Sequence, residues 1–133
     1  MHVRFVALVV AGLGAAAAPA AHHSFSGEFD VNKPIKLEGT VTKVEWINPH
    51  AWIHIDVKRP DGTVESWAIE GGTPNTLMRR GFTKDSLKTG TEIMVDGYLA
   101  RDGSRKANGR DVTFTDGRKL FMGSPPGQGG PPQ

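Results

Sequence analysis

The histidines are the residues of this sequence best suited to chemistry, because they fall into short clusters. The chain has five histidines and no cysteine. His22 and His23 form one pair, and His50 and His54 form a second. Since neutral imidazole is a good ligand for copper, zinc and nickel, this clustering favours a transition-metal site.

The first pair follows Ala21, which we predict to be the first residue after a leader is removed. The new terminal amine, the next two backbone amides and the His23 imidazole can occupy one square plane around a metal. Both amides have a proton to lose, because neither position is proline. Square-planar nitrogen ligation selects Cu(II) or Ni(II); we favour Cu(II), with Ni(II) and Zn(II) as alternatives. Cleavage one residue later would give His22 both an amine and an imidazole, and would require a further histidine.

The second pair lies in the segment 46–54, which leads into the predicted second strand. Residues of equal parity share a strand face, so His50, Trp52 and His54 would point the same way. An ideal strand places the two histidines roughly 13 Å apart, too far to share one metal unless the chain bends at His50. One of them could instead join the first pair, although two ordinary strand histidines packed beside Trp52 are the alternative. The candidate metal-binding residues are Ala21, His22, His23, His50 and His54.

Trp52 is also a candidate for ligand recognition. Its polar neighbours indicate an exposed ring, and an exposed tryptophan beside histidines is typical of a recognition surface. The alternative is that the segment 21–34 covers it, because Phe25 and Phe29 otherwise have nothing to pack against. The candidate ligand-binding residues are Trp52, Asn48 and Glu70.

Neither catalysis nor nucleic-acid binding is indicated. The sequence lacks a cysteine nucleophile, a Gly-x-Ser-x-Gly elbow and a His-Glu-x-x-His helix, and no pair of carboxylates can be placed in a cleft. The chain has 16 Lys and Arg and 14 Asp and Glu residues, and the leader takes away only Arg4, so the mature net charge is about +1. A nucleic-acid-binding domain carries a strong basic excess. We therefore predict a binding module that is not an enzyme.

The first 20 residues have the three-part order of a secretory signal peptide. Arg4 precedes an uncharged run, 5–18, which ends in the small-x-small cleavage site Ala18-Pro19-Ala20. The run is too weakly apolar for a membrane span, which needs about 20 strongly apolar residues. We predict export to the periplasm of a Gram-negative bacterium, with no membrane attachment after cleavage.

Alternating apolar residues predict one mainly β domain over 21–122, followed by a disordered Gly- and Pro-rich tail, 123–133. Along the first strand the apolar parity changes, which indicates a β-bulge near Thr42-Lys43. Thr73 as N-cap and Pro74 at the first helical position predict a short helix, 74–80. The strands are predicted at 35–46, 51–58, 63–70, 92–100, 109–115 and 118–121. A bent first strand and a helix between strands three and four favour a small OB-like barrel of five or six strands; a small open α+β sheet is the alternative.

Four motifs form a joint pattern: Ala21-His22-His23-Ser24-Phe25, Trp46-x-Asn48-Pro49-His50-x-Trp52, Trp67-x-x-Glu70-Gly71-Gly72-x-Pro74-Asn75 and Leu77-x-Arg79-Arg80-Gly81. The pattern resembles small secreted bacterial proteins that form a domain-of-unknown-function family. The resemblance covers nearly all of the predicted mature chain. It implies bacterial export and brings no assigned activity.

Together these features predict a periplasmic module that binds a transition metal, Cu(II) in the first place, through its N-terminal histidines. The alternative is a non-metal interaction domain. In that case the Trp52 face would bind a peptide, a glycan or a periplasmic partner protein.

The predicted cleavage site can be tested directly on protein recovered from the periplasm of a bacterial host. We expect intact mass and N-terminal sequencing to give a chain that begins Ala21-His22-His23, because Ala18 and Ala20 then occupy the two small-residue positions. A recovered chain that keeps residues 1–20 would contradict the prediction.

Overall fold

The fold is known from a computed structural model that describes residues 24–124 and 129–132. Its elements in chain order are α1 (Phe25–Glu28), β1 (Phe29–Glu45), β2 (Trp52–Lys58), β3 (Val64–Glu70), α2 (Pro74–Arg79), β4 (Glu92–Ala100), β5 (Lys106–Phe114) and β6 (Lys119–Phe121). The strands form one sheet in the order β3-β2-β1-β4-β5-β6, and these neighbours pair antiparallel. The predicted mainly β class is confirmed.

β1 is the longest strand, and its pairing with β2 shifts where the apolar pattern changes parity. Val41 lies opposite Ile55, and Lys43 lies opposite His54, so Thr42 is the extra residue of a bulge. The predicted bulge is thus confirmed. The strand begins earlier than the alternation indicates, because its first residues pair with β4 and do not need an apolar face of their own.

The core consists of alternating apolar residues from the long strands. The apolar face predicted for the second strand is confirmed, since all of its members are buried: Ala51, Ile53, Ile55 and Val57. Trp67 is buried, and Trp46 is half-buried and packs against the core. Apolar side chains outside the strands complete it: Leu77, Phe82, Leu87 and Met122.

α2 begins where the sequence predicts. The Thr73 hydroxyl oxygen accepts a hydrogen bond of 3.1 Å from the Thr76 backbone N–H, which satisfies one of the amides that a helix start leaves unpaired. Pro74 occupies the first turn, where its missing N–H costs nothing. Neither helix of the described residues has the length and apolar character needed to cross a membrane.

α1 is a short helix that the sequence patterns did not indicate. Its Phe25 packs with Phe29, Ala100 and Tyr98 in a small cluster apart from the main core. The Phe25 ring meets the Tyr98 ring edge-on, with the centroids 5.6 Å apart. These contacts give the two phenylalanines a place to pack, and Trp52 does not belong to the cluster.

A further pairing joins β3 to β5, and this one is parallel. The register sets Ala68, Ile69 and Glu70 opposite Lys106, Ala107 and Asn108. The end of β3 therefore lies beside the start of β5. The start of β1 lies at the same end of the sheet, because Phe29 pairs with Ala100 just before the β4–β5 turn.

The Gly- and Pro-rich stretch is described at 123–124 and 129–132. Gly123 and Ser124 are buried, and the Gly123 N–H donates to the Arg110 carbonyl oxygen at 3.2 Å. Disorder of the stretch as a whole stays a prediction.

Gly97 marks the closest approach of β4 to β5. A Cβ at this position would overlap the backbone carbonyl of Asn108, which cannot move aside as the end of a side chain can. We expect Gly97→Ala to lower the free energy of unfolding by about 3 kcal/mol or more in urea denaturation. Gly103→Ala is the control, because nothing lies within 4 Å of a Cβ there and only the strain of its positive φ, about 1 kcal/mol, is expected. Equal losses in the two variants would contradict the assigned contact.

Candidate functional site

One cleft brings together most of the predicted site residues. It lies where β2 begins and β3 ends, and its volume is about 370 Å³. Its walls include Glu28, Asn48, His50, Trp52, Glu70 and Lys106. The three predicted ligand-binding residues thus line the same cleft as one predicted metal ligand, His50.

A hydrogen bond fixes the tautomer of His50. The residue is only 8% exposed, and its Nδ1 lies 3.1 Å from the carbonyl oxygen of Gly71. A carbonyl oxygen can only accept, so Nδ1 carries the proton. In the neutral ring, Nε2 therefore keeps its lone pair and can bind a metal or accept a hydrogen bond.

Backbone hydrogen bonds hold the Gly71 carbonyl in place. The Gly71 N–H donates to the Ala51 carbonyl at 2.8 Å, and the Ala51 N–H donates to the Gly72 carbonyl at 2.9 Å. The Gly72 N–H donates in turn to the Met122 carbonyl at 2.8 Å. The loop after β3 is consequently fixed to the segment that carries His50.

Glu70 places a buried carboxylate beside this histidine. The residue is 4% exposed, and its Oε1 lies 3.9 Å from His50 Nδ1. The Asn108 amide, itself 1% exposed, donates to the same oxygen at 3.3 Å. Because buried polar groups need hydrogen-bond partners, the Asn108 amide satisfies part of the bonding capacity of the Glu70 carboxyl group beside His50.

The C-terminal stretch also reaches His50. A Cβ on Gly129 would lie 2.7 Å from His50 Cε1 and 3.1 Å from Nε2, so only a residue without a side chain fits without a shift. Gly129 thus lies beside the Cε1–Nε2 edge of the His50 ring.

His54 lies elsewhere and already has a partner. Its Nε2 lies 2.8 Å from Glu45 Oε2, and Lys43 Nζ donates to the other carboxylate oxygen at 2.7 Å. The bond from Lys43, followed by that from His54, holds the pKa of Glu45 below its ordinary value. The structure does not bring His54 into the cleft, and its role as a metal ligand stays a prediction.

The outer part of the cleft is partly apolar. Trp52 is half-buried, Asn48 is exposed, and the neighbouring Ile47 is 52% exposed. A tryptophan and an exposed aliphatic side chain at the mouth of a polar cleft can contact the apolar part of a ligand.

The predicted ligands Ala21, His22 and His23 lie outside the described residues, which begin at Ser24. α1 ends at Glu28 in the cleft wall, and the chain from there back to residue 23 spans at most about 12 Å. Within 24–124 and 129–132, no three His, Asp or Glu side chains lie close enough to hold a metal ion. A metal at His50 would therefore need ligands from outside that part of the chain.

Several residues of the site were not among the sequence-based candidates, among them Glu28, Lys106, Asn108 and Gly129. Asn108 meets Glu70 only through the parallel pairing of β3 with β5, so no local pattern could identify it. In the sequence, Asn108 stands out only as an uncharged polar residue between Ala107 and Gly109. Small residues such as these two allow neighbouring strands to pack closely.

These features define a small, mainly β domain with a cleft of polar and aromatic residues at one end of its sheet. Residues 9–109 match DUF6152, a family of unknown function, and the chain belongs to that family. The resemblance that the four motifs indicated is thereby confirmed. Comparison with curated proteins and with solved structures finds no match.

Removal of the Asn108 amide tests whether the buried carboxylate depends on it. We expect Asn108→Ala to lower the free energy of unfolding by about 1–3 kcal/mol, because the buried Glu70 carboxyl group loses a hydrogen-bond donor. Asn32→Ala, at an exposed position of β1, should change it by less than about 0.5 kcal/mol. Urea denaturation of both variants measures the difference, and a neutral Asn108→Ala would refute the assigned role.

Proposed function

We propose that this protein is an exported, periplasmic binding module whose mature N-terminus and cleft together bind one transition-metal ion. Cu(II) is the favoured metal, ahead of Ni(II) and Zn(II). The observation that carries the proposal is the orientation of His50. Its Nδ1–H bond to Gly71 leaves Nε2 as a lone-pair donor in a cleft whose wall includes Glu28, close to the start of the described chain.

The N-terminal residues would supply most of the ligands. Once cleavage exposes the Ala21 amine, that amine, the amides of residues 22 and 23 and the His23 imidazole can surround Cu(II) in one plane. The two amides would each give up a proton to solvent, and His50 Nε2 would supply a further nitrogen ligand.

The surroundings of His50 support this assignment. In metal sites the second ring nitrogen of a histidine usually donates to a backbone carbonyl or a carboxylate, which fixes the ring and raises its basicity. Here Gly71 provides the carbonyl, and Glu70 lies 3.9 Å from the same nitrogen. Removal of such outer contacts typically costs about 10–100-fold in metal affinity.

We also propose that the sheet closes as an OB-like barrel. The antiparallel order β3-β2-β1-β4-β5, together with the parallel β3–β5 pairing, supports a ring of five strands. α2 lies between β3 and β4 in the chain, as the OB-like topology requires. OB-folds bind ligands on the face of strands two and three, and here Trp52 begins β2 and Glu70 ends β3.

A second candidate function is a non-metal interaction domain. The exposed Ile47 and the half-buried Trp52 at the mouth of the cleft support it, because such rims bind peptides, glycans or partner proteins. Under this alternative the N-terminal histidines play no part in binding.

Titration of the processed chain with Cu(II), followed by calorimetry and electron paramagnetic resonance, tests the metal proposal. We expect one tightly bound ion with a four-nitrogen square-planar spectrum. His23→Ala should weaken binding at least about 100-fold, since it removes a ligand from the plane, and His50→Ala should weaken it about tenfold. His54→Ala is the matched control and should leave the affinity unchanged, because that ring is paired with Glu45.

Two extra residues inserted before Ala21 sharpen this test. With two residues added, Ala21 occupies position three in place of a histidine, so the insertion should abolish the square-planar spectrum while the fold stays intact. Unchanged affinity in the insertion variant or in His23→Ala would overturn the metal proposal. If partner capture from periplasmic extract persisted under these conditions and was lost with Trp52→Ala, the interaction domain would be favoured.

A further inference from the structure

A second cavity lies between the end of α2, β5, β6 and the C-terminal stretch, and the proposed metal site does not use it. Its volume is about 360 Å³, within the range of small-molecule sites of about 300–1,000 Å³. Its lining includes Arg80, Tyr98, Arg110, Phe121, Ser124 and Pro131.

Ser124 gives this cavity an unsatisfied polar group. The residue is 3% exposed, and its Oγ forms no hydrogen bond with any described residue. Buried hydroxyls are nearly always bonded, and leaving one unpaired costs about 1–3 kcal/mol. The Oγ atom is itself covered, so rotation of the Ser124 side chain would be needed to bring it to an acceptor on a ligand in the cavity.

Arg80 contributes a positive charge that no described carboxylate neutralises. Its guanidinium lies over the Phe121 ring, 4.3 Å from the centroid, and donates to the Gly123 carbonyl. Partial burial, and after it the charge of Arg79, lowers the pKa of Arg80 below its ordinary value. An anion bound beside Arg80 would offset both unfavourable effects.

The other arginine of the cavity is already paired. Arg110 Nε donates to Asp111 Oδ2 at 2.8 Å, and hydrogen bonds from Arg110 to Asp111 and to Tyr98 raise its pKa. Asp111 Oδ2 also pairs with Lys119 Nζ at 3.7 Å, so Arg110 shares its carboxylate, and Arg80 is the cation of this lining that has no described carboxylate partner. The remaining lining is largely apolar, with Phe121, Pro131 and Pro132 among its residues.

We propose that this cavity binds a small organic carboxylate with an apolar body. The carboxylate accepts hydrogen bonds from the Arg80 guanidinium and the Ser124 hydroxyl, and the body packs against Phe121 and Pro131. A single unpaired cation selects a monoanion over a multiply charged ligand. The apolar walls select against small inorganic anions, which cannot fill the space.

1-Naphthoate is a suitable probe, and 1-naphthamide is its uncharged counterpart of similar shape. With the full exported chain labelled with ¹⁵N, naphthoate should shift the amide signals of Gly109, Gly123 and Ser124 saturably. Naphthamide should bind at least about tenfold more weakly, because it lacks the charge that Arg80 recognises. Equal affinity for the two compounds would overturn the proposal.

Variants locate the site. Arg80→Gln should weaken naphthoate binding at least about tenfold, and Ser124→Ala about threefold to tenfold. Arg79→Gln is the matched control on the same turn, at an exposed position, and should change affinity less than about twofold. Should Arg80→Gln fail to fold, Ser124→Ala and the comparison of the two compounds still decide the question.

The outcome is independent of the metal site. His50→Ala should bind naphthoate as the unaltered chain does, because His50 does not line this cavity. Shifts confined to residues of the cleft, such as Trp52 and Asn48, would place the ligand elsewhere and overturn the assignment.

Discussion

The parallel pairing of β3 with β5 is the contact on which both candidate sites depend. It sets Glu70 opposite Asn108, residues 38 positions apart, and the Asn108 amide then donates to the Glu70 carboxylate. Asn108 also lines the second cavity, so one side chain contributes to the wall of that cavity and donates to the carboxyl group beside His50. Parallel strands cannot be joined by a tight hairpin, and α2 and β4 supply the long connection that this pairing requires.

The orientation of His50 follows from the same pairing through a short series of backbone contacts. With the end of β3 fixed, Gly71 and Gly72 bond to Ala51 and Met122, and the Gly71 carbonyl is held against the imidazole. The histidine tautomer is therefore set by tertiary structure and not by its own neighbours in sequence. A change that loosens the β3–β5 pairing would disturb the histidine even though no side chain of the cleft had been altered.

The range of each contact explains what the sequence predicts and what it does not. The buried face of β2, the bulge at Thr42 and the cap at Thr73 all leave patterns within a few residues, and each is confirmed. His50 and His54 look equivalent under strand alternation, but their partners come from other elements. The pairing of β2 with β1 places the Glu45 carboxylate beside His54, whereas the loop after β3 places the Gly71 carbonyl beside His50. Asn108 has no local signal at all, since its partner is reached only across the sheet.

Hydrogen-bonding capacity separates the polar groups that stabilise this fold from those that can bind a ligand. His54 and Arg110 are matched by carboxylates of the chain, so an added ligand would compete with bonds already formed. His50 Nε2 and Ser124 Oγ differ, because the first is left as a lone-pair donor by the bond at Nδ1 and the second has no described partner. Folding has already covered both groups, so part of the cost of removing water from them is met before any ligand arrives. For a ligand that can reach them, each group is therefore a stronger contact than an equivalent residue on the open surface.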